Sequence, residues 1–244
     1  MSLPAKEAML AQVGKFTHNF TLLTLPNEVK PEDGVPETWV EMLRSQETGK
    51  KTWAEPWEPY RELLPCVLDF LEHKVHGVCV LLEQGQPPSL LYFFSSEGED
   101  YYYEGGPPLG ETVTDDPRRV WARLPPKLQA FYRNVHNGWT TISFMGPLPV
   151  EDIEFLSDYD WGDDETEELN AQLPFRLENA AMVFNNGGGD SLCLDLSLDA
   201  PEDHAFAWWH EETLEPMLDI NFWDLMDGWI CGQLEDVDLA DQAE

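Results

Sequence analysis

The sequence predicts an α+β protein in two parts, and three observations carry that prediction. Hydrophobic residues make up 42% and aromatics 12% of the 244 residues, more of both than a disordered acidic chain holds. Short apolar runs rich in β-branched and aromatic residues alternate with Gly/Pro turns in both halves. Beyond a break at Gly105-Gly106-Pro107-Pro108, apolar residues take up helical spacing. The break, placed within 105–117, separates an N-terminal extension (1–117, α/β or mainly β) from a second domain (118–244).

Taken in chain order, residues 7–13 suit a short helix and 16–25 alternate loosely as a strand. The prolines between 26 and 59 forbid one long helix there. Trp39, Met42 and Leu43 can still line one face of a short helix between Pro36 and Gly49. Residues 75–83 and 89–95, joined by Gln84-Gly85-Gln86-Pro87-Pro88, read as a hairpin, and Tyr101-Tyr102-Tyr103 as a third strand. Leu124, Leu128, Phe131, Tyr132 and Val135 fall on one helical face, with Pro125 and Pro126 tolerable in its first turn. Asn137-Gly138 ends that helix. Strands are expected at 140–145, within 175–185, at 192–198 and at 205–209. Asn185-Asn186-Gly187-Gly188-Gly189-Asp190 turns the middle pair; it lacks the Gly-Lys-Ser/Thr ending of a phosphate loop and does not precede a helix. A closing helix carries Phe222, Leu225, Met226, Trp229 and Ile230, with Asn221 as its N-cap.

Charge separates the functional classes. The formal net charge is −33, and Arg176 is the only Lys or Arg after Arg133, against 27 Asp and Glu. Such a field repels nucleic acid and anionic membrane and draws in a basic partner. It also serves solubility alone. No apolar run approaches the ~20 residues of a spanning helix, and the N-terminal residues lack a secretory pattern. Cys66, Cys79, Cys193 and Cys231 form no Cys-x-x-Cys pair and sit among apolar residues. They read as four buried thiols, hence a reducing cytoplasm.

Two segments resemble a known family. Leu124-Pro125-Pro126, Phe131-Tyr132 and His136-Asn137-Gly138-Trp139 look like the first helix and exit of the SUKH superfamily. The run from Ala181 through Asn185-Asn186-Gly187-Gly188-Gly189-Asp190 to Leu196 is similar to its central hairpin, and the Phe222–Trp229 helix to its closing aromatic helix. The resemblance spans roughly 118–235. It implies a SUKH-like antiparallel sheet flanked by helices. It also implies an immunity protein that neutralises a cognate antibacterial toxin, a nuclease effector of a type VI or similar secretion system. A nuclease carries a basic groove for phosphates, which an acidic protein can occupy.

The densest acidic run, 151–168, has ten carboxylates and no cation. Its aromatics are Phe155, Tyr159 and Trp161. Carboxylates would steer a basic partner and aromatics supply buried contact. The expected toxin contacts are Asp158, Asp160, Trp161, Asp163, Asp164 and Glu165, followed by Asp203 and Glu211. A solvated loop is the plain alternative. Asp158, Asp160 and Asp163-Asp164-Glu165 offer oxygen ligands but not the register of a calcium loop. No third ligand joins His73 and His76, and no nucleophile or zinc-protease motif occurs. The chain therefore reads as a binding protein without catalytic residues, cofactor or metal. The other readings are a regulatory or scaffold protein with a basic cellular partner, and a metal-dependent hydrolase.

Overall fold

The structure, a computed structural model, describes residues 3–96, 98–111, 113, 120–143, 145–159, 161, 163–197 and 204–234. It is mixed α+β with two antiparallel sheets. Residues 1–108 with 230–244 form one compact unit, and 109–229 a second.

The first unit contains α1 (Lys6–Val13), β1 (Phe20–Leu23), α2 (Glu37–Glu47), α3 (Pro65–His73), β2 (Gly77–Glu83), β3 (Ser89–Ser96) and β4 (Glu99–Gly105). The strands lie in the order β1-β2-β3-β4, with Val80 opposite Leu90 and Phe93 opposite Tyr102. The first strand is shorter than its alternation suggested. Asn19, just before β1, has φ 58, a left-handed conformation that breaks the extended run, and Pro26 opens a 3-10 turn. Past Leu23, which pairs with Val80, the Gln46 side chain continues the pairing. Its Oε1 accepts from the Val78 N–H at 2.8 Å and its Nε2 donates to the Val78 carbonyl at 3.1 Å.

Helix α2 buries Trp39, Met42 and Leu43, as their spacing predicts. Helix α3 was not anticipated. It opens on Pro65, whose missing N–H costs nothing in a first turn, and buries Val67, Leu68, Phe70 and Leu71. Phe70 meets Phe94 edge-on at 5.1 Å, and Trp53 Nε1 donates to the Leu71 carbonyl at 2.8 Å. Glu28 binds the turn after β1: Oε2 accepts from the Thr24 and Leu25 N–H groups at 2.7 and 3.1 Å, and Oε1 takes Lys6 Nζ at 2.8 Å. Burial pushes its carboxyl up, but the Lys6 and backbone hydrogen bonds together outweigh burial and lower it to about 2.

The second unit contains α4 (Pro126–Asn134), β5 (Trp139–Thr141), β6 (Gly146–Pro147), β7 (Glu154–Phe155), α5 (Asp163–Gln172), β8 (Ala180–Asn185), β9 (Ser191–Asp195), β10 (His204–Trp208), β11 (Met217–Asn221) and most of α6 (Phe222–Leu234). Its strands run β11-β10-β9-β8-β6, and β7 also pairs with β8. Met182, Cys193 and Phe206 stand opposite one another across β8, β9 and β10, so they share one face. That face is covered by Leu156, Leu169, Leu173, Phe175 and Leu177. On α6, Trp229 contacts Phe184 and Trp209 at ring distances of 5.6 and 6.2 Å. Arg123 pins the end of β9 by donating to the Leu196 carbonyl and to Asn179 Oδ1.

Several expectations are corrected. The strand expected at 140–145 is broken: Thr141 N–H donates to the Met145 carbonyl in a tight turn that separates β5 from β6. The strand expected within 175–185 is present as Ala180–Asn185, after a 3-10 turn. Asn137 does not cap α4, which ends at Asn134. Its amide instead accepts from Val150 N–H at 3.0 Å and donates to Glu151 at 2.8 Å. Gly138, at φ +79, lies so close to Pro149 that an added Cβ would sit 2.7 Å from its ring. The reading of four separate thiols also fails. Cys66 on α3 and Cys231 on α6 form a disulfide, with Cα atoms 5.9 Å apart. A separation of 165 residues hides such a pair from any local pattern. Cys79 and Cys193 are buried thiols. Among the described residues no helix is long and apolar enough to cross a membrane.

Candidate protein-binding face

Within the acidic run 151–168, the described residues include a 3-10 turn, β7, a second 3-10 turn and the start of α5. Asp158 binds the second turn: its Oδ2 accepts from the Phe155 N–H at 2.8 Å. Trp161 is half-buried against the sheet, and its Nε1 donates to the Leu156 carbonyl at 2.6 Å. Its ring lies 5.9 Å from Trp208 and 5.5 Å from Tyr159, and Tyr159 lies 5.6 Å from Trp208. The three rings close one end of the sheet. Trp161 therefore serves packing, while Tyr159 remains 45% exposed.

Asp163, Asp164 and Glu165 occupy the first turn of α5, where negative charge favours a helix. Only their backbone is described. Asp160 and Asp203 lie outside the described residues. Glu211 is exposed, 3.9 Å from His210 Nε2. The expected contact residues whose side chains are described, Asp158, Trp161 and Glu211, thus take turn-making, packing and exposed positions respectively.

The Gly-rich turn is a self-bonded hairpin loop. Asn186 Oδ1 accepts from the N–H groups of Gly188 and Asp190 at 2.7 and 3.0 Å. Asp190 then fixes the segment after β10: its Oδ1 accepts from the His210 main chain and lies 2.8 Å from His210 Nδ1. Burial pushes the Asp190 carboxyl up, but the His210 and Asn186 bonds outweigh that and hold it below its ordinary value.

The feature missed from sequence is β11. Its residues are largely exposed, with Met217 at 50% and Leu218 at 42%, and Leu214 just before it at 47%. It is an end strand of the sheet. Met217 pairs with Ala207 and Ile220 with Ala205. One residue of β10, Phe206, therefore faces two of β11, Leu218 and Asp219, which is a β-bulge. Asp219 takes φ 54, as Asp tolerates. Trp208, the ring beneath Tyr159, follows Ala207 directly, so Tyr159 and Met217 mark the same end of the sheet. Exposed Glu211, Glu212, Glu215 and Asp219 surround the apolar residues. A five-residue run after Pro216 was the available signal, but it merges into the helical pattern beginning at Asn221.

In the first unit, Ser95 Oγ lies 2.9 Å from His76 Nε2 and donates to Asp100 Oδ1 at 3.0 Å. A hydrolytic triad places imidazole between hydroxyl and carboxylate, to receive the hydroxyl proton. Here the hydroxyl is in the middle and directs its proton to the carboxylate. His73 bonds instead near Asp69, so the His73/His76 pair diverges. Among the described residues no three His, Cys, Asp or Glu side chains converge as a metal site. No known family model matches this chain, and neither a curated protein nor a solved structure matches it.

Proposed function

We propose that this protein is a SUKH-type immunity protein that binds and neutralises a basic toxin, a nuclease effector of a type VI or similar secretion system, without catalysis of its own. The observation that carries the reading is the acidic end of the sheet just described. Tyr159, Leu214, Met217 and Leu218 are exposed amid carboxylates, in a stretch where Arg176 is the only Lys or Arg. Apolar anchors supply affinity once water is excluded, and a rim of one charge sign selects and steers a partner of the other. A nuclease groove built to hold phosphates presents that opposite sign. The proposal includes residence in the cytoplasm, where such a toxin would act. The Cys66–Cys231 bond weighs against that compartment, because structural disulfides persist mainly under oxidising conditions. Alkylating thiols in intact cells before lysis decides the point: a Cys66–Cys231 bond intact at lysis removes the cytoplasmic part of the proposal.

The functional test is calorimetry of the full chain against the product of the adjacent gene at two salt concentrations. One-to-one binding that weakens with salt, together with protection of cells from that product, supports the reading. Absence of binding to any genomic neighbour sinks it and moves the weight to a regulatory partner.

A further inference from the structure

We propose that β11 is a docking edge that accepts an extended, cationic segment of a partner protein as an additional strand. The inference rests on the reading above only in taking a basic protein as partner. An end strand presents a row of main-chain N–H and C=O groups outward, and among the described residues no strand pairs with that side of β11. The strand is five residues long, enough for a short ladder. Its exposed Met217 and Leu218, with Leu214 beside them, give an incoming strand apolar side chains to cover.

Charge decides what comes. A second copy of this chain would bring Glu211, Glu212, Glu215 and Asp219 against the same four residues, and like charges across a ladder repel. That repulsion keeps sister chains away. A strand that alternates Lys or Arg with apolar residues reverses the sign: its apolar side chains lie on the face of Met217, which Ala207 shares, and its cations on the face of Asp219, which stands opposite Phe206. Main-chain bonds would give affinity and the alternating side chains specificity. Asp219, which lies in the bulge, is the carboxylate nearest the new ladder.

Hydrogen–deuterium exchange on the full oxidised chain tests this without any toxin. The probe is an alternating Lys-Val peptide of about eight residues, the length of an ordinary strand. The comparison peptides are Lys-Ser, Glu-Val and a Lys-Val version N-methylated along one edge. Lys-Val should slow exchange in the segment 211–221 by about tenfold or more, and the other three should not. The M217E/L218E variant should lose the effect, while its unliganded exchange elsewhere matches the parent because both positions are exposed. Equal protection by Lys-Ser would overturn the proposal, since charge alone would then explain it. Equal protection by the N-methylated peptide, or protection confined to α5, would also overturn it. The immunity reading stands or falls separately, on the adjacent gene product.

Discussion

Reduction of the Cys66–Cys231 bond should remove a large share of the protein's stability. The bond closes a loop of 165 residues. If it acts by restricting the unfolded chain, closure of a loop that long is worth about 5 kcal/mol at room temperature, with about 2–4 kcal/mol the usual measured range. Domains of this size are stable by about 5–15 kcal/mol in total, so the reduced protein should be close to the margin. Urea denaturation with and without a phosphine reductant measures the difference. The midpoint should fall, and the slope should rise, because the released unfolded chain exposes more surface. Cys66→Ala should reproduce both changes in the absence of reductant. Thiol labelling under denaturing conditions should find two reactive thiols before reduction, Cys79 and Cys193, and four after it. An unchanged midpoint in protein shown to hold the bond would refute the argument that the crosslink restricts the unfolded state.

Three further perturbations test the local arguments. Glu28→Gln should lower stability at neutral pH by about 1 kcal/mol, after allowing for solvent screening of a partly exposed pair. A depressed carboxyl stabilises above its unfolded value, so the gap between parent and variant should be full above about pH 4.5 and close as pH falls toward about 2, followed by circular dichroism. Trp161→Ala should cost about 2–3 kcal/mol, because it opens the Tyr159–Trp161–Trp208 cluster and removes the bond to Leu156; chemical denaturation reads the loss. Gly189→Ala should destabilise by about 1 kcal/mol or more, because Gly189 has φ +104 and an added Cβ would lie 2.9 Å from the His210 ring; a thermal melt reads it.

The sequence was most legible where local chemistry dominates. Trp39, Met42 and Leu43 lie on the buried face their spacing required. Asn221 caps α6 by accepting from the Trp223 and Asp224 N–H groups. The Asn/Gly turn closes β8 onto β9. The misses share a different cause. Helix α5 is highly acidic, and only Leu169 among its described side chains is deeply buried, so its helical signal is weak against the charge. Helix α3 begins just after a proline-rich stretch, and that punctuation hid an otherwise apolar turn. The disulfide and the Arg123 clamp join residues far apart in sequence, which no window can reveal. Trp161 was grouped with its acidic neighbours, although its ring and indole N–H are committed to the sheet and to Leu156.

The same distinction separates two kinds of carboxylate that composition merges into one net charge. Asp158, Asp190 and Glu151 accept hydrogen bonds that hold turns and segments in place. Glu212, Glu215 and Asp219 make no side-chain hydrogen bond or ion pair among the described residues, and all three are exposed beside β11. Removing charge from the first group should cost stability, since a main-chain, side-chain amide or imidazole donor is left with a weaker acceptor. Asp158→Asn, for example, should lose about 0.5–1 kcal/mol, as loss of a cap does. Removing charge from the second group should leave stability within about 0.5 kcal/mol of the parent, or raise it slightly by easing repulsion in a chain of net charge −33. Affinity for a basic partner should respond in the opposite sense: Glu212→Gln with Glu215→Gln should slow association and flatten its salt dependence, while Asp158→Asn should not. Parallel denaturation and stopped-flow binding on the two sets would read this. If both sets changed stability and binding alike, the acidity would act as an undivided field, and the face at β11 would have no special claim to the partner.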